Sequence, residues 1–71
     1  MFTVVELQTT NGVTTVLTYP FEDYVLAEQK FYQVLSYAVV SDLEVHACLI
    51  LDCCGVIRRS YFYDRREINQ S

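Results

Sequence analysis

The sequence predicts a small α+β domain of order β-β-α-β-β, a four-stranded, mostly antiparallel sheet with one helix on one face. Three observations predict it: two β-branched runs joined by Asn11-Gly12, one amphipathic stretch after Pro20, and two apolar runs joined by a turn ending in Gly55. Residues 1–64 are expected to form the domain and residues 65–71 a flexible C-terminal tail.

Thr3–Leu7 and Val13–Thr18 are the first two strands, because Asn-Gly between β-branched runs takes up the positive φ angles of a tight hairpin turn. Pro20 is expected to end the second strand, and Glu22 and Asp23 place negative charge at the start of a helix, where its dipole favours it. That helix runs from about Asp23 to Val40. Tyr24, Ala27, Phe31, Val34, Leu35 and Ala38 recur at steps of three and four and form the stripe that should sit on the sheet. Val25, Tyr32 and Val39 form a thinner line at a spacing of seven on another side of the helix.

Leu43–Leu51 is the third strand. Leu43, Val45, Ala47, Leu49 and Leu51 point one way and His46, Cys48 and Ile50 the other, so both faces are largely apolar. Such a strand is normally covered on both sides, and one helix covers one side. The other side is expected to need another molecule, most simply a second copy. Asp52-Cys53-Cys54-Gly55 reads as a type I turn with Gly55 at positive φ, and Val56 to about Tyr63 is the fourth strand.

Charge is distributed unevenly. Residues 1–55 carry seven acids against Lys30 alone, a net −6, and residues 56–71 carry four arginines against Asp64 and Glu67, a net +2, which together give the chain's −4. An acidic chain with one local basic cluster does not suit general nucleic-acid binding, which needs a broad basic surface. No apolar run approaches the roughly 20 residues of a membrane span, and the first residues lack the basic start of a secretory signal. Three cysteines, two of them adjacent, do not make a disulfide framework and fit a reducing compartment. The reading is a cytoplasmic protein with neither membrane nor nucleic acid as partner.

Catalytic chemistry is poorly represented. His46 is the one histidine, and the serines lie in no nucleophile motif. His46 and Cys48 are two apart on a strand, about 6.5–7 Å at the backbone, which is too far for a dyad. The spacing H-x-C-x4-C-C matches no zinc pattern. No enzyme activity, metal or cofactor is expected.

Binding chemistry lies on the fourth strand. Guanidinium groups beside aromatic rings can hold phosphate, carboxylate or a flat ring. Strand alternation sets Ile57, Arg59, Tyr61 and Tyr63 on one face and Val56, Arg58, Ser60 and Phe62 on the other. With Phe62 and Val56 turned toward the core under the helix, Arg59, Tyr61 and Tyr63 would line the open face beside His46. Arg58 and Tyr32 complete the candidate ligand-binding set.

The stretch Lys30-Phe31-Tyr32-Gln33-Val34-Leu35-Ser36-Tyr37-Ala38-Val39-Val40-Ser41, then Leu43-Glu44-Val45-His46-Ala47 and the LDCCG turn, resembles short uncharacterised proteins of Firmicutes phages and prophages. Those read roughly K-Y-H-x-[IV]-L-[ST]-A-A-A-V-S-x-V-P-V-H, followed by strand, turn with Gly, and strand. The likeness covers most of the chain and is carried chiefly by Leu35, Ala38, Val40, Ser41, Val45 and His46. This chain departs from it with Tyr32 where a histidine is usual, Tyr37 and Val39 where alanines are usual, and Glu44 in place of proline. The resemblance implies a phage or mobile-element origin and, by analogy, a counter-defence role. The expected function is a homo-oligomer, dimer or higher, that sequesters a small anionic or nucleotide-derived molecule, such as an immune signal, between subunits. The alternative is an inhibitor or adaptor that docks on a host defence protein.

Overall fold

The computed structural model describes residues 1–66; residues 67–71, which hold most of the expected tail, lie outside the described residues. The elements follow in the expected order: β1 (Phe2–Thr10), β2 (Val13–Phe21), α1 (Tyr24–Ala38), β3 (Val45–Leu51) and β4 (Ile57–Asp64). They form one antiparallel sheet of order β2-β1-β3-β4 with the helix on one side.

Asn11 and Gly12 have φ of 54° and 77°, the two positive values a type I′ turn requires, and the hairpin they close is in register from Phe2↔Phe21 to Thr10↔Val13. The second strand does not stop at Pro20. It continues to Phe21, with Pro20 opposite Thr3. β2 lies at an edge of the sheet, where a residue without an N–H can sit without breaking a ladder on both sides.

Asp23 is the helix N-cap. Its backbone is extended, and its carboxylate accepts from Val25 N at 2.9 Å. At the other end Val40 N bonds Tyr37 O and Ser41 N bonds Ala38 O, tightening the last turn before two β-branched valines end it. Arg65, placed in the tail by the sequence, reaches back to donate from Nη2 to the carbonyls of Ala38 and Val39. Both carbonyls lie at the helix C-terminus, where they lack the i+4 partner of the helix interior.

The helix rests mainly on β1 and β3. Its stripe is as expected: Ala27, Phe31, Val34 and Ala38 are buried, and Tyr24 and Leu35 pack partly buried at the margin. Beneath it lie Val4 of β1 with Cys48 and Ile50 of β3. The helix therefore covers the side of β3 that carries His46, Cys48 and Ile50, and leaves uncovered the side that carries Val45, Ala47, Leu49 and Leu51. The faces are the reverse of the sequence reading.

The β3–β4 turn is held by Asp52. Gly55 N bonds Asp52 O at 3.0 Å, Gly55 has φ of 81°, and Asp52 Oδ1 accepts from Cys54 N and Val56 N at 2.9 Å each. These bonds to the charged form, Val56 N first, keep the Asp52 carboxyl below its usual range. Beyond the turn the register slips: Leu51 opposes Ile57 while Ile50 opposes Arg59, so Arg58 is the extra residue of a bulge. The simple alternation expected for β4 is broken at Ile57, which lies opposite Leu51 of the open side.

Candidate functional site

The chain presents three regions with chemistry: a buried polar network under the helix, a shelf on the helix side of β4, and the open face of the sheet.

His46 belongs to the first. It is only 4% exposed, so it does not line an open platform as expected. Glu6 of β1 is buried diagonally across from it, since Glu6 opposes Cys48 and Gln8 opposes His46. His46 Nε2 donates to Glu6 Oε2 at 2.6 Å, Gln8 Nε2 donates to the same oxygen at 2.7 Å, and the Tyr19 hydroxyl donates to Glu6 Oε1 at 3.0 Å. Burial by itself raises the Glu6 pKa, but the bonds from Gln8, His46 and Tyr19 together outweigh it and hold the carboxyl below its ordinary value. Burial, followed by the bond to Glu6, pushes the Tyr19 phenol up, and the Lys30 ammonium lies 4.2 Å from its ring centroid. His46 Nδ1 has no hydrogen-bond partner among the described residues. Burial and the Glu6 charge push the nearby Cys48 thiol up to about 12, leaving it protonated and unreactive at neutral pH. The network ties β1, β2 and β3 together beneath the helix. Sequence reasoning missed it; an acid in the middle of an apolar run, facing a strand with a lone histidine, was the available signal.

The shelf gathers most of the other candidate residues. Register puts Tyr63 opposite His46, Tyr61 opposite Cys48 and Arg59 opposite Ile50, so all three point to the helix side. The sequence expected them together beside His46, which they are, but on the open face, which they are not. The helix rests mainly on β1 and β3 and only lightly on β4, and Tyr61 stays 55% exposed. Arg59 Cζ lies 5.8 Å from the Tyr32 ring centroid, and its Nη2 is 3.4 Å from Glu28 Oε2. The Tyr24 hydroxyl, then Tyr32 and Glu28, favour its charged form. Tyr61 and Tyr63 meet edge to face at 5.3 Å, and Arg65 stacks over Tyr63 at 5.4 Å. Arg58 is apart from this group: it points back to Asp52, at 3.3 Å.

Each guanidinium of the cluster thus faces an internal acceptor: Arg58 with Asp52, Arg59 with Glu28, Arg65 with the helix carbonyls, and Arg66 with Asp64 at 2.7 Å. The last pair, led by the side-chain bond from Arg66, lowers the Asp64 pKa to about 2.

The open face is built from four cross-strand rows: Pro20–Thr3–Leu51–Ile57, Thr18–Val5–Leu49–Ser60, Val16–Leu7–Ala47–Phe62 and Thr14–Thr9–Val45–Asp64. Asp64, at a corner, is the one charge in these rows. Val16 and Phe62 at the two ends of the third row are 58% and 61% exposed. Phe62, expected to cover the core, stands on this face instead.

The exposed thiols of Cys53 and Cys54 sit 4.0 Å apart on the β3–β4 turn, unlinked. Among the described residues no cluster of three or more His, Cys, Asp or Glu side chains could hold a metal ion, and no helix is long and apolar enough to cross a membrane. Comparison with protein-family models, with curated proteins and with solved structures finds no match for this chain.

Proposed function

We propose that this protein works by binding rather than by catalysis, as a homo-oligomer whose subunits meet through the open face of the sheet. The observation that carries the reading is the four-row face itself, apolar or hydroxylic throughout its centre and without a covering layer among the described residues. Strands about 4.8 Å apart and rows about 6.7 Å apart give it a plan area of roughly 500 Å². Two such faces together would bury on the order of 1,000 Å², at the lower end of specific interfaces. A second copy is the fitting occupant. Each chain carries −4 overall, and this face, whose one charge is the corner Asp64 paired with Arg66, lets two acidic chains meet with most of their charges directed elsewhere. Exposed Phe62 stands beside the much smaller Ala47, a difference in size that can complement itself across a two-fold axis.

Leu49→Asp places a carboxylate in the middle of the face, and mass in solution reads the outcome. The wild-type chain is expected to weigh in as an oligomer and the variant as a monomer with an unchanged circular dichroism spectrum. A wild-type chain that is monomeric at high micromolar concentration would overturn the reading.

What the oligomer binds follows from the shelf. The resemblance to phage proteins suggests either a nucleotide-derived signal or a host defence protein. The pairing of all four arginines with internal acceptors favours the protein: an anion would have to displace Glu28 from Arg59, whereas exposed Tyr32 and Tyr61 already have the character of protein-interface anchors. Calorimetric titration with cyclic nucleotides and ADP-ribose derivatives decides between them, and saturable binding lost in Arg59→Ala would restore the small-molecule reading.

A further inference from the structure

The two outer strands of the sheet differ in how they are protected. Edges are usually blunted by proline, lysine or short length, because their unpaired N–H and C=O groups can accept another strand. β2 has Pro20 and a row of threonines. β4 has eight residues and no proline; its protection is confined to the bulge at Arg58 and the two arginines at its start, and from Arg59 to Asp64 the ladder is regular and contains Tyr61-Phe62-Tyr63. The helix rests chiefly on β1 and β3, leaving the helix side of this edge accessible as well.

We propose that β4 pairs antiparallel with β4 of a second copy about a two-fold axis at Tyr61, extending the sheet to eight strands. This contact uses the edge, not the open face, and stands independently of the self-association proposed above. The register follows from pleat and charge. Opposed residues in a ladder must point to the same side, so the axis passes through a residue, and the choice is between neighbouring positions. With the axis at Tyr61, Arg58 opposes Asp64 at both ends, Arg59 opposes Tyr63, and Ser60 opposes Phe62. An axis at Phe62 instead sets Arg58 against Arg66 and Arg59 against Arg65, four like charges in a row of contacts. An axis at Ser60 leaves Asp64 facing Val56 and Arg58 facing Phe62. One register alone converts both ends of the strand into opposite-charge pairs, and in it Arg59 also lies beside the Tyr63 ring. The present partner of Arg58, Asp52, is at 3.3 Å with the arginine half exposed, so redirecting Arg58 costs little.

Cysteine cross-linking tests contact and register together. In a chain with Cys53→Ser and Cys54→Ser, single variants Tyr61→Cys, Ser60→Cys and Phe62→Cys are exposed to oxidised glutathione and weighed without reductant. A residue on the axis meets its own copy at about 4.5–5.5 Å between Cα atoms, within the reach of a disulfide. Residues one position away meet theirs at roughly 8 Å, beyond it. Tyr61→Cys is expected to form covalent dimer several-fold faster than either neighbour, and to do so equally when Leu49→Asp is added. Equal rates at the three positions, or no dimer at any, would overturn the pairing. Loss of the Tyr61→Cys cross-link on adding Leu49→Asp would also overturn it as an independent contact. Charge reversal adds a second readout: Arg58→Asp or Asp64→Arg alone should slow the cross-link and the two together restore it.

Discussion

Beneath the helix, β1 and β3 set Glu6, Gln8 and His46 among Val4, Cys48 and Ile50. On the other side of the same two strands stand Val5, Leu7, Ala47, Leu49 and Leu51, with no ionisable group among them. The covered face is the more polar of the two. What permits this is satisfaction: one carboxylate accepts from a histidine, an amide and a phenol, and each donor comes from a different position on the sheet. Burial thus follows where the helix stripe can pack and where polar groups can answer one another, and not simply which face is more hydrophobic. Among the described residues nothing covers the apolar face.

The largest expected difference between the faces is in packing. Phe31→Ala opens the centre of the covered face, where Phe31 is 2% exposed, and should cost about 3–5 kcal/mol. Phe62→Ala removes a ring of the same size that is mostly in solvent, and should change the stability of the isolated chain by less than about 0.5 kcal/mol. Urea denaturation at low protein concentration measures both. Comparable losses would mean that Phe62 is packed in the isolated chain and that the two faces are not distinct.

A smaller effect should come from the polar network and carry a pH signature. Glu6→Leu leaves the buried His46 donor without an acceptor and should cost on the order of 1–3 kcal/mol. In the wild-type chain the Glu6 pKa is lowered on folding. Its contribution is therefore complete above the ordinary carboxyl value of 4.5 and is lost as pH falls below that through the folded value. Tyr19 has the opposite sign. Its pKa is raised, so its contribution is complete below the ordinary value of 10.0 and is lost as pH rises through the higher folded value. Glu6→Gln should flatten the acid limb measured by denaturation between pH 6 and about 3 and shrink the alkaline limb with it. An acid limb unchanged in Glu6→Gln would detach the network from stability.

Local chemistry is what the sequence states most clearly. Asn11-Gly12, the stripe from Tyr24 to Ala38, and Gly55 after Asp52 each report a backbone conformation or a face from neighbouring residues, and each is found as read. The side of β3 that faces the helix is a different kind of fact. Leu43, Val45, Ala47, Leu49 and Leu51 outweigh His46, Cys48 and Ile50 in hydrophobicity, and only the register that brings Glu6 to His46 across the ladder reverses the choice. That register involves residues forty positions apart. The bulge at Arg58 and the continuation of β2 through Pro20 also depend on neighbours in the sheet. The candidate residues Arg59, Tyr61 and Tyr63 were legible as a group because alternation along one strand is local; the side on which they lie was not.

The smallest of these effects comes from the element that makes one face covered at all. Asp23 caps the helix through Val25 N, and the first turn contains no other acid to replace it. Asp23→Ala should cost about 1 kcal/mol. Because the helix touches only the covered side, that loss should appear in the denaturation midpoint and leave the mass in solution unchanged. Leu49→Asp should do the reverse, altering mass while the midpoint of the isolated chain stays nearly fixed, since Leu49 leaves the covered core untouched. The two variants measured side by side separate the face that holds the chain together from the face proposed to join it to another. If Asp23→Ala also dissociates the oligomer, helix docking and self-association are coupled, and the open face must be shaped by the helix on its far side.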